Sequence, residues 1–359
     1  MDGTGPLLAK ALVNVVGHLA DGTPIKAVAL RNRYGTSATI LTFGGTLQSL
    51  RAQDRDGRFA DIVLGHRDPS AYWQAPSAYL GSTIGRFANR IDGGRLVLDG
   101  QVHKLQANEG AHALHGGEHG FHARLWTIET IAPDQASVTL GVVSPDGDSG
   151  HRGTMTVKAT WTLDDDNALT ITFEATTTRP TVVNLTNHAF FNLAGSGSAL
   201  DQVLTLHADA YTPIREGLIP TGEIHPLAGT AFDFRQPMAI RSRLHDIDDQ
   251  LALAQGYDHN FVVRGERGTL RPAARLDHPV SGRRLEVWTT EPGIQFYSGN
   301  FLDGSLTGRD GHPIERGDGI CLEPQTFPDA PNQPAFPSAR LDPGDTYRHT
   351  LSFRLSVID

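Results

Sequence analysis

Residues 153–178, GTMTVKATWTLDDDNALTITFEATTT, alternate apolar and polar side chains through two arms and break that alternation only at Asp164–Asn167. A period of two puts successive side chains on opposite faces of an extended chain and is foreign to a helix. The two arms predict a β-hairpin, and the Asp/Asn cluster reads as its turn rather than as a set of calcium ligands. The same signature recurs at 25–32, 37–43, 46–52, 95–98, 137–143, 203–208, 260–264, 284–290, 294–298, 319–323 and 347–357, short runs punctuated by the chain's 39 Gly and 21 Pro. Helical periodicity is confined to pieces near 69–74 and 240–246. So many strands without helices between them predict an all-β protein, a large antiparallel sandwich rather than a parallel sheet. No repeat, low-complexity linker or composition shift divides the chain, which reads as a single domain over 1–359.

Charge and cysteine content exclude several function classes. The formal net charge is -9, with basic residues scattered among acids, so nucleic acid is not an expected partner. A single cysteine, Cys321, permits no intrachain disulfide and no thiolate zinc motif. No apolar run approaches the ~18 residues that a membrane-spanning helix needs. The N-terminus, with Asp2 and an apolar stretch interrupted by Lys10, Asn14 and His18, makes a poor signal peptide. These features suit a cytoplasmic protein, although a processed secreted form would share them. They assign no oligomeric state.

Candidate chemistry begins in NLTNHAFFNLAG, residues 184–195. A lone histidine in an apolar run is ordinarily a hydrogen-bonded core residue. Read as a strand, however, the segment puts Val183, Leu185, Asn187, Ala189, Phe191 and Leu193 on one face. Asn184, Thr186, His188, Phe190 and Asn192 share the other. That second face suits a cleft for a hydroxylated ligand, with an aromatic ring for the ligand's apolar side. In GDGICLEPQTFPDAPNQPAFP, Gly319, Cys321 and Glu323 share a strand face, and Glu323 ends a core strand before a proline-rich loop. A carboxylate there is either ion-paired or has a shifted pKa and chemistry to perform. Cys321 reads as a small buried hydrophobe.

ANEGAHALHGGEHGFH gathers His112, His115, Glu118, His119 and His122 at helix-like spacing, but Gly116, Gly117 and Gly120 argue against a helix and hence against metal ligation. A glycine turn carrying one or two histidines to a ligand is the better reading. Arg86, Asn89 and Arg90 in GSTIGRFANRIDGG, Asp258, His259 and Asn260 in GYDHNF, and Glu291, Gln295 and Asn300 in TTEPGIQFYSGNFLDG add planar, multidentate groups of the kind that sugar hydroxyls require.

The blocks GRFANRI, LHGGEHGF, NLTNHAFFNLAG, YDHNF, TTEPGIQFYSGNFLDG and LEPQTFPDAPNQPAFP, in this order and spacing, resemble the aldose 1-epimerase (galactose mutarotase) family across nearly the whole chain. The resemblance implies that family's galactose mutarotase-like β-sandwich, with a sugar cleft on one sheet and a small-molecule aldose as substrate. It implies Glu323 as general base, His188 as general acid and His115 as a second active-site histidine. Asn89, Arg90, Asp258 and Gln295 are implied as substrate-binding residues. One departure is Pro324, where many members carry Thr; it removes a backbone donor beside the base. The chemistry stands on its own terms. Exchanging anomers requires opening a hemiacetal ring, for which a carboxylate of ordinary pKa ~4.3 and an imidazolium of ~6.5 suffice near neutrality. No metal and no other cofactor is called for. Two alternatives from other classes are a glycosidase using Asp258 and Glu323 as paired carboxylates and a non-catalytic sugar-binding module of the same fold.

Overall fold

The computed structural model describes residues 8–358. The hairpin forms as the alternation predicts: Met155–Leu163 pairs antiparallel with Ala168–Thr177, from Met155 opposite Thr177 to Leu163 opposite Leu169. Met155, Val157, Ala159, Trp161 and Leu163 are buried, while the intervening residues are open to solvent in varying degree. Asp164 Oδ1 accepts from the N–H groups of Asp166 and Ala168, and Asn167 takes the left-handed turn conformation at φ 61°.

This hairpin lies within a nine-stranded sheet. Its order is Thr127–Ala132, Ser137–Ser144, Met155–Leu163, Ala168–Thr177, Tyr347–Val357, Arg283–Thr289, Arg271–His278, Val203–Leu206 and Met238–Ala239. A six-stranded sheet follows the order Phe190–Phe191, Ile320–Gln325, Gly293–Tyr297, Asp258–Val263, Ala208–Thr212 and His225–Pro226. Trp161, Leu169 and Phe173 of the first and Phe261, Ile294, Phe296, Ile320 and Leu322 of the second join one buried cluster, the core of a β-sandwich. A five-stranded sheet over Lys10–His18, Pro24–Arg31, Ser37–Leu41, Thr46–Gln53 and Phe59–Asp61 adds Val28, Leu30, Ile40, Leu47 and Leu50 to that cluster.

Two expectations change in detail. The piece near 240–246 forms only a 3-10 turn, Ile240–Arg243, whereas a short α-helix, Asp249–Ala254, follows it. Asp248 caps that helix through its side chain, which accepts from the N–H groups of Gln250 and Leu251. Segment 184–192 is not one continuous strand. Thr186–Asn187 pairs with Thr83–Ile84 and Phe190–Phe191 pairs with Ile320–Cys321, so the chain changes partner at His188. There the His188 N–H donates to Ser82 O and its carbonyl accepts from Gly81 N–H. The alternation of faces survives the change, with Val183, Leu185, Ala189, Phe191 and Leu193 all in the core. Among the described residues no helix is long and apolar enough to cross a membrane.

The interior also holds several histidines. Burial holds His122 and His188 down to about 4 and His151 and His259 down to about 3. Their unfolded value is ~6.5, so below that pH the unfolded chain binds more protons than the folded one and stability falls. The buried carboxyls Glu323 and Asp258, raised by burial, act in the opposite sense and offset part of this. The buried histidines outnumber them, so the urea midpoint is expected to drop as pH falls below ~6.5; a midpoint constant between pH ~6.5 and ~5 contradicts this.

Candidate active site

Register in the six-stranded sheet decides which side chains meet. Gln295 lies opposite both Asn260 and Glu323, and Tyr297 lies opposite both Asp258 and Cys321. With a period of two, Asp258, Asn260, Gln295, Tyr297, Cys321 and Glu323 therefore share one face, and Phe190, opposite Cys321, extends it. The other face sends Phe261, Ile294, Phe296, Ile320 and Leu322 into the core. His259 is on that other face, among Tyr211 and Phe232, and its Nδ1 accepts from Asp258 N–H. Pro324 sits in register opposite Ile294, with pairing intact on both sides of it at Glu323 and Gln325. The missing donor breaks no part of that ladder.

Over this face lies a cavity of about 450 Å³, walled by Glu323, Asp258, Tyr297, His188, Phe190, His115, Asn89 and Arg90. His188 Nε2 is 3.8 Å from Glu323 Oε2, and His188 Nδ1 is 3.5 Å from Cys321 Sγ. Glu323 is 2% exposed and His188 6%. Among the described residues Glu323 Oε2 has no hydrogen-bond partner. Burial, reinforced by the nearby Asp258 carboxylate, pushes Glu323 well above the usual range despite the opposing pull of Arg90. Burial holds His188 down to about 4, against a backbone hydrogen bond that raises it. The order expected from unperturbed values is thus inverted: desolvation favours both groups neutral, with the proton on the carboxyl.

The other wall comes from two loops joined by a short ladder, Arg90 opposite Leu114 and Ile91 opposite Ala113. Asn89 and His115 both have left-handed backbones, φ 66° and 53°. They bond reciprocally: Asn89 N–H donates to His115 Nδ1 at 3.1 Å, and His115 N–H donates to Asn89 O at 3.1 Å. Because Nδ1 accepts, the ring proton of neutral His115 resides on Nε2. Burial, with the charges of His188 and Arg90, holds that ring well below its ordinary pKa. The turn after His115 is tight enough to require Gly116, where a Cβ would collide with Gly85 O.

Arg90 anchors a chain of polar contacts. Its Nε and Nη2 form a fork on Glu109 at 2.6 and 2.8 Å, and Nη1 lies 3.7 Å from Asp258 Oδ2. Asp258 Oδ1 accepts from Gln295 Nε2 at 2.7 Å, and Gln295 Oε1 accepts from Gln325 Nε2 at 3.3 Å. Gln295 is therefore beside Asp258 but not on the cavity wall. Burial raises Asp258 against the pull of Arg90.

The structure brings Glu323, His188, His115, Asn89, Arg90 and Asp258 to one cavity and leaves other sequence candidates elsewhere. Arg86 is buried facing away, donating to Ser144 O, Pro145 O and Arg152 O. His112 pairs with Asp92 at 3.1 Å, and Glu118 accepts from Gln106 at 3.3 Å. His122 lies behind Tyr79, ring centroids 4.7 Å apart. Glu291 accepts from Tyr347 Oη, and Asn300 donates to Ala254 O and Tyr257 O. The asparagines of 184–192 also serve structure. Asn184 donates to Ala88 O and accepts from Thr326 N–H, Asn187 donates to Gly81 O, and Asn192 donates to Asp318 O. Sequence reasoning missed Tyr79, Glu109, Phe301, Asp303 and Ser305, which all line the cavity. For Glu109 a signal existed: a buried Arg90 needs a counter-charge, and this carboxylate stands in the same block as His115.

Comparison with known proteins gives a consistent result. A family profile described as aldose 1-epimerase matches residues 26–354. The chain is 45% identical over 320 residues to galactose mutarotase of Bos taurus, covering 89% of this chain and 90% of that one. It is 38% identical over 337 residues to aldose 1-epimerase of Escherichia coli (strain K12), covering 93% and 96%. Among solved structures, galactose 1-epimerase from Lactobacillus acidophilus NCFM superposes with a TM-score of 0.86 at 29% identity, covering 98% of this chain and all of that one (100%). An aldose epimerase homologue from C. elegans gives 0.84 at 30% identity, with coverage of 98% and 100%.

Asn184 joins the segment bearing His188 to both other parts of the site, through Ala88 next to Asn89 and through Thr326 beyond Glu323. Asn184→Ala leaves Thr326 N–H without that acceptor in a buried setting, at a cost of about 1–3 kcal/mol. A thermal melt is expected to show a corresponding drop, and an unchanged melting temperature refutes the assigned bracing role.

Proposed function

The chain belongs to the aldose 1-epimerase family, and from that premise we propose that Glu323 and His188 are the proton-exchanging pair with which it interconverts sugar anomers. The activity is an isomerisation without net redox change. The observation that carries the assignment of roles is the 3.8 Å approach of His188 Nε2 to Glu323 Oε2 on the wall of a 450 Å³ cavity. Glu323 as carboxylate takes the proton of the anomeric hydroxyl while His188 as imidazolium gives one to the ring oxygen, and the hemiacetal C–O bond breaks. Rotation about the bond to the freed aldehyde presents its other face. Carbonyl addition then runs the two transfers backward, returning the proton to His188 from the attacking hydroxyl and that of Glu323 to the new anomeric oxygen.

His115, neutral with its proton on Nε2, offers a donor to the charge developing at the ring oxygen. Asn89, Arg90 and Asp258 bind ring hydroxyls, and Gln295 contributes by fixing Asp258 at 2.7 Å. Galactose and glucose are the proposed substrates. A glycosidase would need Asp258 free to attack or to activate water, whereas Arg90 and Gln295 engage it and the two histidines would lack a role. A binding module without activity has no use for an acid and a base held together.

Polarimetry on freshly dissolved α-galactose and α-glucose tests the reading, and a folded protein that does not accelerate mutarotation over buffer overturns it. Glu323→Gln keeps shape and removes the base; a fall in kcat of about 10²–10⁴-fold or more is expected, and near-normal turnover refutes the role. The pH dependence provides a separate check. Reaction needs exactly one proton on the pair, and the second binds only as His188 titrates at about 4. The acid limb of kcat/KM is therefore expected near 4 in assays short enough to keep the protein folded, and a limb centred at the ordinary histidine value of ~6.5 counts against the scheme.

A further inference from the structure

Cys321 has no part in the proton exchange, yet it faces the same two groups that perform it. One ligand atom from each of His188, Cys321 and Glu323 lies within 4.8 Å of the others, and all three side chains are buried. A tetrahedral divalent ion with bonds of ~2.0–2.3 Å to N, O and S holds its ligand atoms about 3.3–3.6 Å apart, so binding requires the three side chains to close inward around it. A second observation points the same way: Glu323 Oε2, directed at His188, has no hydrogen-bond partner among the described residues. A thiolate, an imidazole and a carboxylate select a borderline-soft ion of the Zn²⁺ class over Mg²⁺ or Ca²⁺.

We propose that His188, Cys321 and Glu323 form an inhibitory Zn²⁺ site, in which the ion removes acid and base from catalysis together and competes with sugar. The fourth position faces the cavity and takes water. Binding forms one bond each from the metal to N, S and O; the thiol proton and the carboxyl proton pass to buffer, and no electrons are transferred. The inhibitory consequence rests on the catalytic roles given above, while metal binding itself does not.

Co²⁺ chloride is the spectroscopic probe. Because Cys321 is the only cysteine in the chain, a thiolate-to-cobalt charge-transfer band can arise from no other residue. A band saturating at about one Co²⁺ per chain is expected, displaced by Zn²⁺ and by excess galactose and weakened ~10–100-fold in affinity by Glu323→Gln. In polarimetry Zn²⁺ is expected to inhibit competitively with galactose and a chelator to reverse it. Cys321→Ser, a near-isostere checked for folding by circular dichroism, is expected to need ~10–100-fold more Zn²⁺ to halve its own metal-free rate. No cobalt band, a band indifferent to Glu323→Gln, or equal inhibition of wild type and Cys321→Ser overturns the site. An inactive Glu323→Gln together with an absent band retains the catalytic reading and discards the metal. A wild-type band together with a fully active Glu323→Gln does the reverse.

Discussion

Glu323 is 2% exposed and one of its oxygens has no partner among the described residues, a combination that costs on the order of several kcal/mol whenever the group is charged. A flexible carboxylate would escape by turning toward water. This one is held because its neighbours Ile320 and Leu322, both fully buried, point the opposite way into the sandwich core. Turning the strand over would expose them, and each apolar side chain of that size contributes roughly 1.5–3 kcal/mol by burial. The core thus maintains the desolvation that sets the chemistry. It also explains why the candidate face is built on a sheet of paired strands and not on a surface loop.

The second wall stores a different kind of strain. Asn89 and His115 are non-glycine residues with positive φ, and such conformations cost on the order of 1–3 kcal/mol when the surroundings impose them. Their reciprocal hydrogen bonds return part of that cost and leave His115 one tautomer. An exposed histidine would sample both tautomers and titrate near neutrality. Here the ring stays neutral and presents a fixed donor, while the neighbouring Arg90 retains its charge through Glu109 and Asp258.

Much of this was legible from the chain itself where side chains obey a simple period. The Met155–Leu163 and Ala168–Thr177 arms, the Glu323 strand and the burial of alternate residues in 183–193 all follow from it. Legibility failed where other forces decide. Lys10–His18 is an edge strand whose Leu12 and Val15 are exposed, so it lacks clean alternation, and Arg271–His278 hides its pattern behind Arg, Pro and Asp. The break at His188 depends on partners contributed by Gly81 and Ser82, about a hundred residues away in sequence, which no local pattern encodes. Likewise the candidate residues could be named from motifs and resemblance, but not the inverted protonation order of Glu323 and His188, because desolvation is a property of the assembled cavity.

That inversion bears on how one pair of groups can serve both anomers. In the proposed exchange, ring opening gives Glu323 a proton and takes one from His188, so the protonation state favoured by burial is that of the open-chain intermediate, not that of either ring form. Environment therefore helps the step that breaks the hemiacetal and gives no preference to the face on which it closes. Reclosure must regenerate the ion pair, and the 3.8 Å separation supplies the attraction that makes this attainable in a site of low polarity. A more exposed pair would ionise readily but would lose that bias toward the intermediate. A more distant one would leave two uncompensated charges in the interior at the moment the ring closes.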